Sequence, residues 1–209
     1  MSTNVETTRS IRAATMRLTQ IAILAALVIV LQLIGSFTGI KIGPFTPTLA
    51  LIPIIIGAVL YGPSAGAFLG AVFSVIVCIA VVTGADVGGQ LMFQYNPAVT
   101  LILCMVKGTL AGFAGGAIYR SLAKTNDLAA LALAAVVTPV VNTGILCAGM
   151  MTVFAPLVSG WAEGAGADSI GKFILFSVVG VNFLFELVLD AVLVPVIRRI
   201  ISAVSKNKS

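Results

Sequence analysis

Between Lys41 and Asp86 the chain carries no charged side chain. Uncharged apolar stretches also separate Arg17 from Lys41 and Asp127 from Glu163. About 20 apolar residues are enough to cross a bilayer as a helix, and in lipid the backbone must satisfy its own hydrogen bonds. Only 9% of the 209 residues are charged, twelve basic and seven acidic, against about 25% in a soluble domain. Mean hydropathy is +1.15. These features exclude a soluble globular enzyme, a disordered chain and a secreted scaffold built on disulfides. The segments are apolar nearly all round, without the alternating stretches of about ten residues that a membrane barrel needs. The expected fold is an all-α membrane protein, a single helical bundle.

Six spans are expected, over residues 17–39, 48–61, 64–83, 96–120, 128–158 and 172–201. The second is short, so it is expected to be tilted, broken or covered by the others. Gly62-Pro63 separates the second from the third. Asn96-Pro97 opens the fourth, with proline suited to a first helical turn. Pro139 and Pro156 are expected to break the fifth. The domain division is then 1–16 as an N-terminal segment, 17–201 as the membrane domain and 202–209 as a basic tail. The first apolar run is too long for a cleaved signal, and further spans follow it.

Six spans put both termini and the loops after spans two and four on one side. That side collects Arg9, Arg12, Arg17, Arg120, Lys124, Arg198, Arg199, Lys206 and Lys208, together with Glu6 and Asp127. The other side receives Lys41 and Lys172 with Asp86, Glu163 and Asp168. The positive-inside rule makes both termini cytoplasmic. The net charge of +5 is thus explained by topology, and no clustered basic face suggests a nucleic-acid partner.

There is no histidine, which removes Ser-His-Asp and HExxH chemistry and histidine proton relays. Cys78, Cys104 and Cys147 lie in apolar runs without metal-ligand spacing, as core residues do. No metal or cofactor is expected. Gly57 to Gly62 has phosphate-loop glycine spacing, but Pro63-Ser64 stands where Lys-Ser/Thr is required. Small residues recur four apart at Gly62, Gly66 and Gly70, at Gly108, Gly112 and Gly116, and at Ala22 and Ala26. Such ladders let helix backbones approach closely, within the bundle or against a partner subunit. The segments 36–48, 83–96 and 154–172 are glycine-rich and carry Phe93, Gln94, Tyr95 and Trp161. They are expected to be loops that close over a polar ligand or anchor at the membrane interface.

Three ionisable residues fall at membrane depth, where charge is expensive and points to function. Lys107 lies about 16 Å beyond Asn96 at helical rise, and Glu186 is comparably deep past Lys172. Asn182, Glu186 and Asp190 form one stripe at spacings of four, and Thr138, Asn142 and Thr143 occupy the fifth span. Lys107 either pairs with Glu186 or Asp190 or binds ligand.

The run from Leu49 through Pro63 to Ala67, the pair Ala22/Ala26, and the stretches Asn96-Pro97…Thr100…Lys107-Gly108-Thr109-Leu110-Ala111-Gly112 and Pro139…Asn142-Thr143-Gly144 carry a likeness to a known family. The chain resembles the substrate-binding (S) components of energy-coupling-factor (ECF) vitamin transporters, most nearly the pantothenate-type members, from about Arg17 to Arg199. The resemblance implies a six-helix vitamin-binding subunit of a bacterial plasma membrane, with its site near the external face. It implies as partners a transmembrane coupling subunit and two ATPase subunits, with no enzyme activity of its own. In this reading Lys107 meets the vitamin carboxylate, and Asn96, Asn142, Asn182 and Glu186 meet its polar groups. Phe93, Gln94 and Tyr95 close the site, and Ala22 and Ala26 dock on the coupling subunit. Two alternatives are an S component for another vitamin, such as folate or riboflavin, and a self-sufficient transporter coupled to protons through Glu186 or Asp190. No inverted repeat supports the latter. The carboxylates on one helix lack the partners an intramembrane enzyme needs.

Overall fold

Proline and glycine divide the chain into its helices. The structure, a computed structural model, describes residues 2–37 and 49–206. Helix α1 (Ser2–Phe37) runs without interruption through the described part of the first expected span and the segment before it. Helix α2 (Leu51–Tyr61) ends at Gly62, whose φ of 93° favours glycine and whose N–H returns to the Ala58 carbonyl at 2.9 Å. Pro63 opens helix α3 (Pro63–Thr83). Then follow α4 (Val87–Tyr95), α5 (Pro97–Leu122), α6 (Asp127–Met151), α7 (Ala155–Gly164) and α8 (Ile170–Phe173). The last apolar stretch is composite, a π-helical segment Ile174–Phe183 leading into α9 (Leu184–Lys206). Four described helices contain a stretch long and apolar enough to cross a membrane: Ala14–Ser36, Pro63–Thr83, Pro97–Leu122 and Asp127–Met151.

Three expectations are corrected. The segment after Thr83 is not a plain loop, because Asp86 caps a helix there and Met92 buries it. The segment before Lys172 likewise holds α7, with Phe154, Val158 and Ala162 packed inward. Pro139 does not break α6, since surrounding helices hold the helix on course around the missing N–H. The break expected near Pro156 does occur, between Met151 and Ala155. Residues 38–48, including Lys41, lie outside the described residues.

The short α2 is buried along most of its length by α1, α3, α5, α6 and α9. It anchors two core clusters. Leu51 and Ile54 join Val28, Leu69, Phe73 and Cys104, whereas Ile55 and Ile56 join Leu131, Ala135, Val194 and Ile197. A third cluster, with Met92, Met150, Phe154 and Phe173, closes the end of the bundle that carries α4, α7 and α8.

The glycine ladders of α3 and α5 face each other. A Cβ at Gly66 would collide with the Gly112 carbonyl, and one at Gly70 with the Gly108 carbonyl. Gly116 meets the backbone of Pro63. The pairs run antiparallel and settle the open question of these ladders in favour of packing within the bundle. In lipid no hydrophobic effect drives helices together, so close backbone approach and dense van der Waals contact must hold this pair. Substituting valine at Gly70 or Gly112 should lower the melting temperature in detergent by roughly 5–10 °C, an overpacking cost of about 3 kcal/mol. Gly144→Ala, where a Cβ meets nothing within 4 Å, should stay within about 1 kcal/mol of the parent.

Candidate functional site

Asp86 is the N-cap of α4, and its Oδ1 accepts a hydrogen bond from the Gly89 N–H at 2.9 Å. The cap aims α4 across the ends of α3 and α5, with Gly89 tight against Val81. The chain turns back at Asn96, whose Oδ1 accepts from the Val99 N–H at 3.2 Å and starts α5. Thr100 donates to the Asn96 carbonyl at 2.8 Å. Beneath α4 these elements leave a cavity of about 20 Å³, lined among others by Asp86, Met92, Thr100, Cys104, Lys107 and Leu146. Lys107 is half-buried and close to Cys78, Cys104 and Cys147. Cys104 also lies near Asp86, so one cation and one anion share an apolar chamber in which electrostatic interactions are stronger than in water.

Of the closing residues expected on this segment, Phe93 is half-buried against the α1–α3 core, whereas Gln94 and Tyr95 are exposed. The Tyr95 ring stacks at a tilt on Phe154, with centroids 6.0 Å apart, joining α4 to the turn before α7. Asp86 was not among the expected site residues. Its signal in the sequence is its own residue type, since aspartate is a preferred N-cap, although Gly89 stands where a capping box would have Glu or Gln.

A second group of polar residues lies where α6 and α9 pack antiparallel. Leu131 and Ala135 meet Val194 and Ile197 there. Asn142 stands two helical turns beyond Ala135 and Asp190 one turn from Val194, and they are 6% and 1% exposed. Glu186, 4% exposed, is one turn from Asp190 and close to it. Among the described residues, Asn142 Oδ1 and Asp190 Oδ2 are both buried without a hydrogen-bond partner. Neither Glu186 nor Asp190 lines the cavity under α4. Of the two pairings expected for Lys107, with Glu186 or with Asp190, no salt bridge to Asp190 is present among the described residues; Lys107 belongs to α5, which packs chiefly on α3 and α6. The side chain of Asn182 lies outside the described residues. Ala22 and Ala26 are exposed on α1, beside the exposed Ile23, Leu27 and Val30.

Of the residues expected to share one site, Lys107 lines the cavity, Asn96 caps α5 without lining it, and Asn142 and Glu186 belong to the α6–α9 seam. Removing the α4 cap by Asp86→Ala should cost about 1 kcal/mol, quickening amide exchange across Val87–Tyr95 roughly fivefold while sparing α5.

A family model described as ECF transporter, substrate-specific component matches residues 16–198. No curated protein and no solved structure shows a significant match. The matched stretch runs from within α1 through most of α9, with both polar groups inside it. The chain is thus a multi-pass membrane protein that belongs to the substrate-specific component family of ECF transporters.

Proposed function

We propose that this chain captures pantothenate from the external side of a bacterial plasma membrane and delivers it to an ECF coupling subunit and two ATPases. Membership of the family makes it a transport subunit with a small-molecule substrate. The observation that carries the choice of vitamin is the Lys107 amine in an apolar chamber with Asp86 and Thr100. Pantothenate offers a carboxylate to the amine, and hydroxyl and amide donors to the aspartate. Asn96 spends its side-chain oxygen on the α5 cap, which leaves its amide N–H groups to donate to the ligand. Asn142, Asn182 and Glu186 would contact the ligand from deeper in the bundle, with Phe93, Gln94 and Tyr95 on the closing helix. At about 20 Å³ the cavity suits one water-sized molecule, so a vitamin enters only as α4 moves away from Val81. The basic residues near both termini support a cytoplasmic location for them.

Calorimetric titration of the purified protein with pantothenate tests this reading. Lys107→Ala should weaken binding roughly 10- to 100-fold, the worth of a hydrogen bond to a charged group. Equal affinity in the variant would refute the carboxylate role, and a different vitamin co-purifying with the parent would refute the choice of ligand. The exposed Ala22/Ala26 face is the proposed dock for the coupling subunit. Ala22→Trp or Ala26→Trp should abolish uptake in cells while leaving pantothenate affinity within about twofold. Undiminished uptake in both would remove that face from the docking surface.

A further inference from the structure

Arg198 and Arg199 stand side by side near the end of α9, and among the described residues neither forms a salt bridge. Pro195, Arg198, Arg199, Ser202 and Ala203 follow the spacing i, i+3, i+4, i+7 and i+8, which is one helix face. The neighbouring stripe, Val194 and Ile197, packs inward with Leu131 and Ala135 of α6. The outer stripe therefore borders α6 while both arginines stay exposed. With Leu128, in the first turn of α6, it lines an open groove of about 700 Å³. From Pro195 to Ala203 the groove follows α9 for about 12 Å.

The acid closest in sequence to this groove is engaged elsewhere. Asp127, beside Leu128 at the start of α6, accepts a hydrogen bond from the Tyr119 hydroxyl of α5 and does not line the groove. The first turn of α6 is also capped from within, Asn126 Oδ1 accepting from the Ala129 N–H at 3.0 Å. The attraction for an anion thus comes from the two guanidinium groups, whose planar forks match phosphate oxygens. Ser202 adds a hydroxyl donor one turn beyond Arg198. The rest of the lining, Leu128, Pro195 and Ala203, is apolar. Basic groups at the end of membrane helices, set beside an apolar wall, suit the headgroup and chain of an anionic lipid. A free anion would use the arginines and leave the apolar wall bare.

We propose that this groove holds one anionic phospholipid, with its phosphate on Arg198, Arg199 and Ser202 and an acyl chain along Leu128 and Pro195. The lipid would bridge the start of α6 and the end of α9. None of these residues lines the cavity under α4, so the site stands independently of the vitamin.

The test titrates the delipidated full-length protein, in an uncharged detergent, with phosphatidylglycerol or with phosphatidylcholine of the same acyl chains. Native mass spectrometry counts the lipid retained. The parent should hold about one phosphatidylglycerol roughly 10- to 30-fold more tightly than phosphatidylcholine, the preference expected of two arginines. Arg198→Gln combined with Arg199→Gln should bring the two lipids within about twofold of each other. Arg120→Gln combined with Lys124→Gln removes the same charge from exposed positions outside the groove and should leave the preference intact. Leu128→Trp, at an exposed position, fills the groove without changing charge and should weaken phosphatidylglycerol retention roughly tenfold. Inorganic phosphate should not displace the lipid. A parent without preference for phosphatidylglycerol would overturn the proposal, as would a preference that survives the double arginine variant or is lost equally in the Arg120/Lys124 variant. Displacement by inorganic phosphate would assign the arginines to a free anion instead. Loss of uptake in the double arginine variant, with no lipid preference in the parent, would assign them to a protein partner and equally overturn it.

Discussion

The close contact of the α3 and α5 backbones is the constraint on which the rest of this bundle depends. Gly66 and Gly70 lie against the carbonyls of Gly112 and Gly108 because neither side presents a Cβ. Hydrocarbon tails compete with side chains for apolar contact, so helices associate in lipid through dense packing and not through exclusion of water. That contact fixes α5, and α5 carries Thr100, Cys104 and Lys107. It also aligns the ends over which α4 lies. Helix α6 then packs on the other side of α5, with Thr138 against Gly115 and Gly149 against Leu103.

Within this frame the polar groups are sorted by depth and by partner. Asp86 enters the bundle from a helix cap, where it is already engaged by Gly89, so the chamber it shares with Lys107 is assembled from groups with structural duties of their own. The seam differs. There Asn142 Oδ1 and Asp190 Oδ2 are buried without a hydrogen-bond partner among the described residues, an arrangement that apolar surroundings penalise. The first arrangement suits a ligand that comes and goes. The uncovered side of α1, with Ala22 and Ala26 among exposed aliphatic residues, fits a subunit that must meet a partner in the membrane.

Several elements were legible before the fold was known. Gly62-Pro63 marked the corner between α2 and α3, and Asn96-Pro97 marked the start of α5, because glycine and proline restrict the backbone locally whatever surrounds them. The segment from Asp86 to Tyr95 was less legible. Its paired glycines suggest a loop, yet its cap and the burial of Met92 make it a helix. Pro139 misled in the other direction, as packing around α6 outweighs the one hydrogen bond that proline removes. The buried polar residues Asn142, Glu186 and Asp190 were found by depth alone.

The sequence by itself determined that the chain lives in a membrane, where its apolar helices lie and which few polar residues are buried with them. These follow from the cost of charge and of unsatisfied backbone in hydrocarbon, which acts residue by residue. The tertiary structure alone decided which helix faces which. A helix that is apolar all round carries no periodic signal of its neighbour, so Lys107 could have been matched with Asp190 on charge alone. The glycine contacts of α3 and α5, and the seam of α6 and α9, placed the one beside Asp86 and the other beside Glu186.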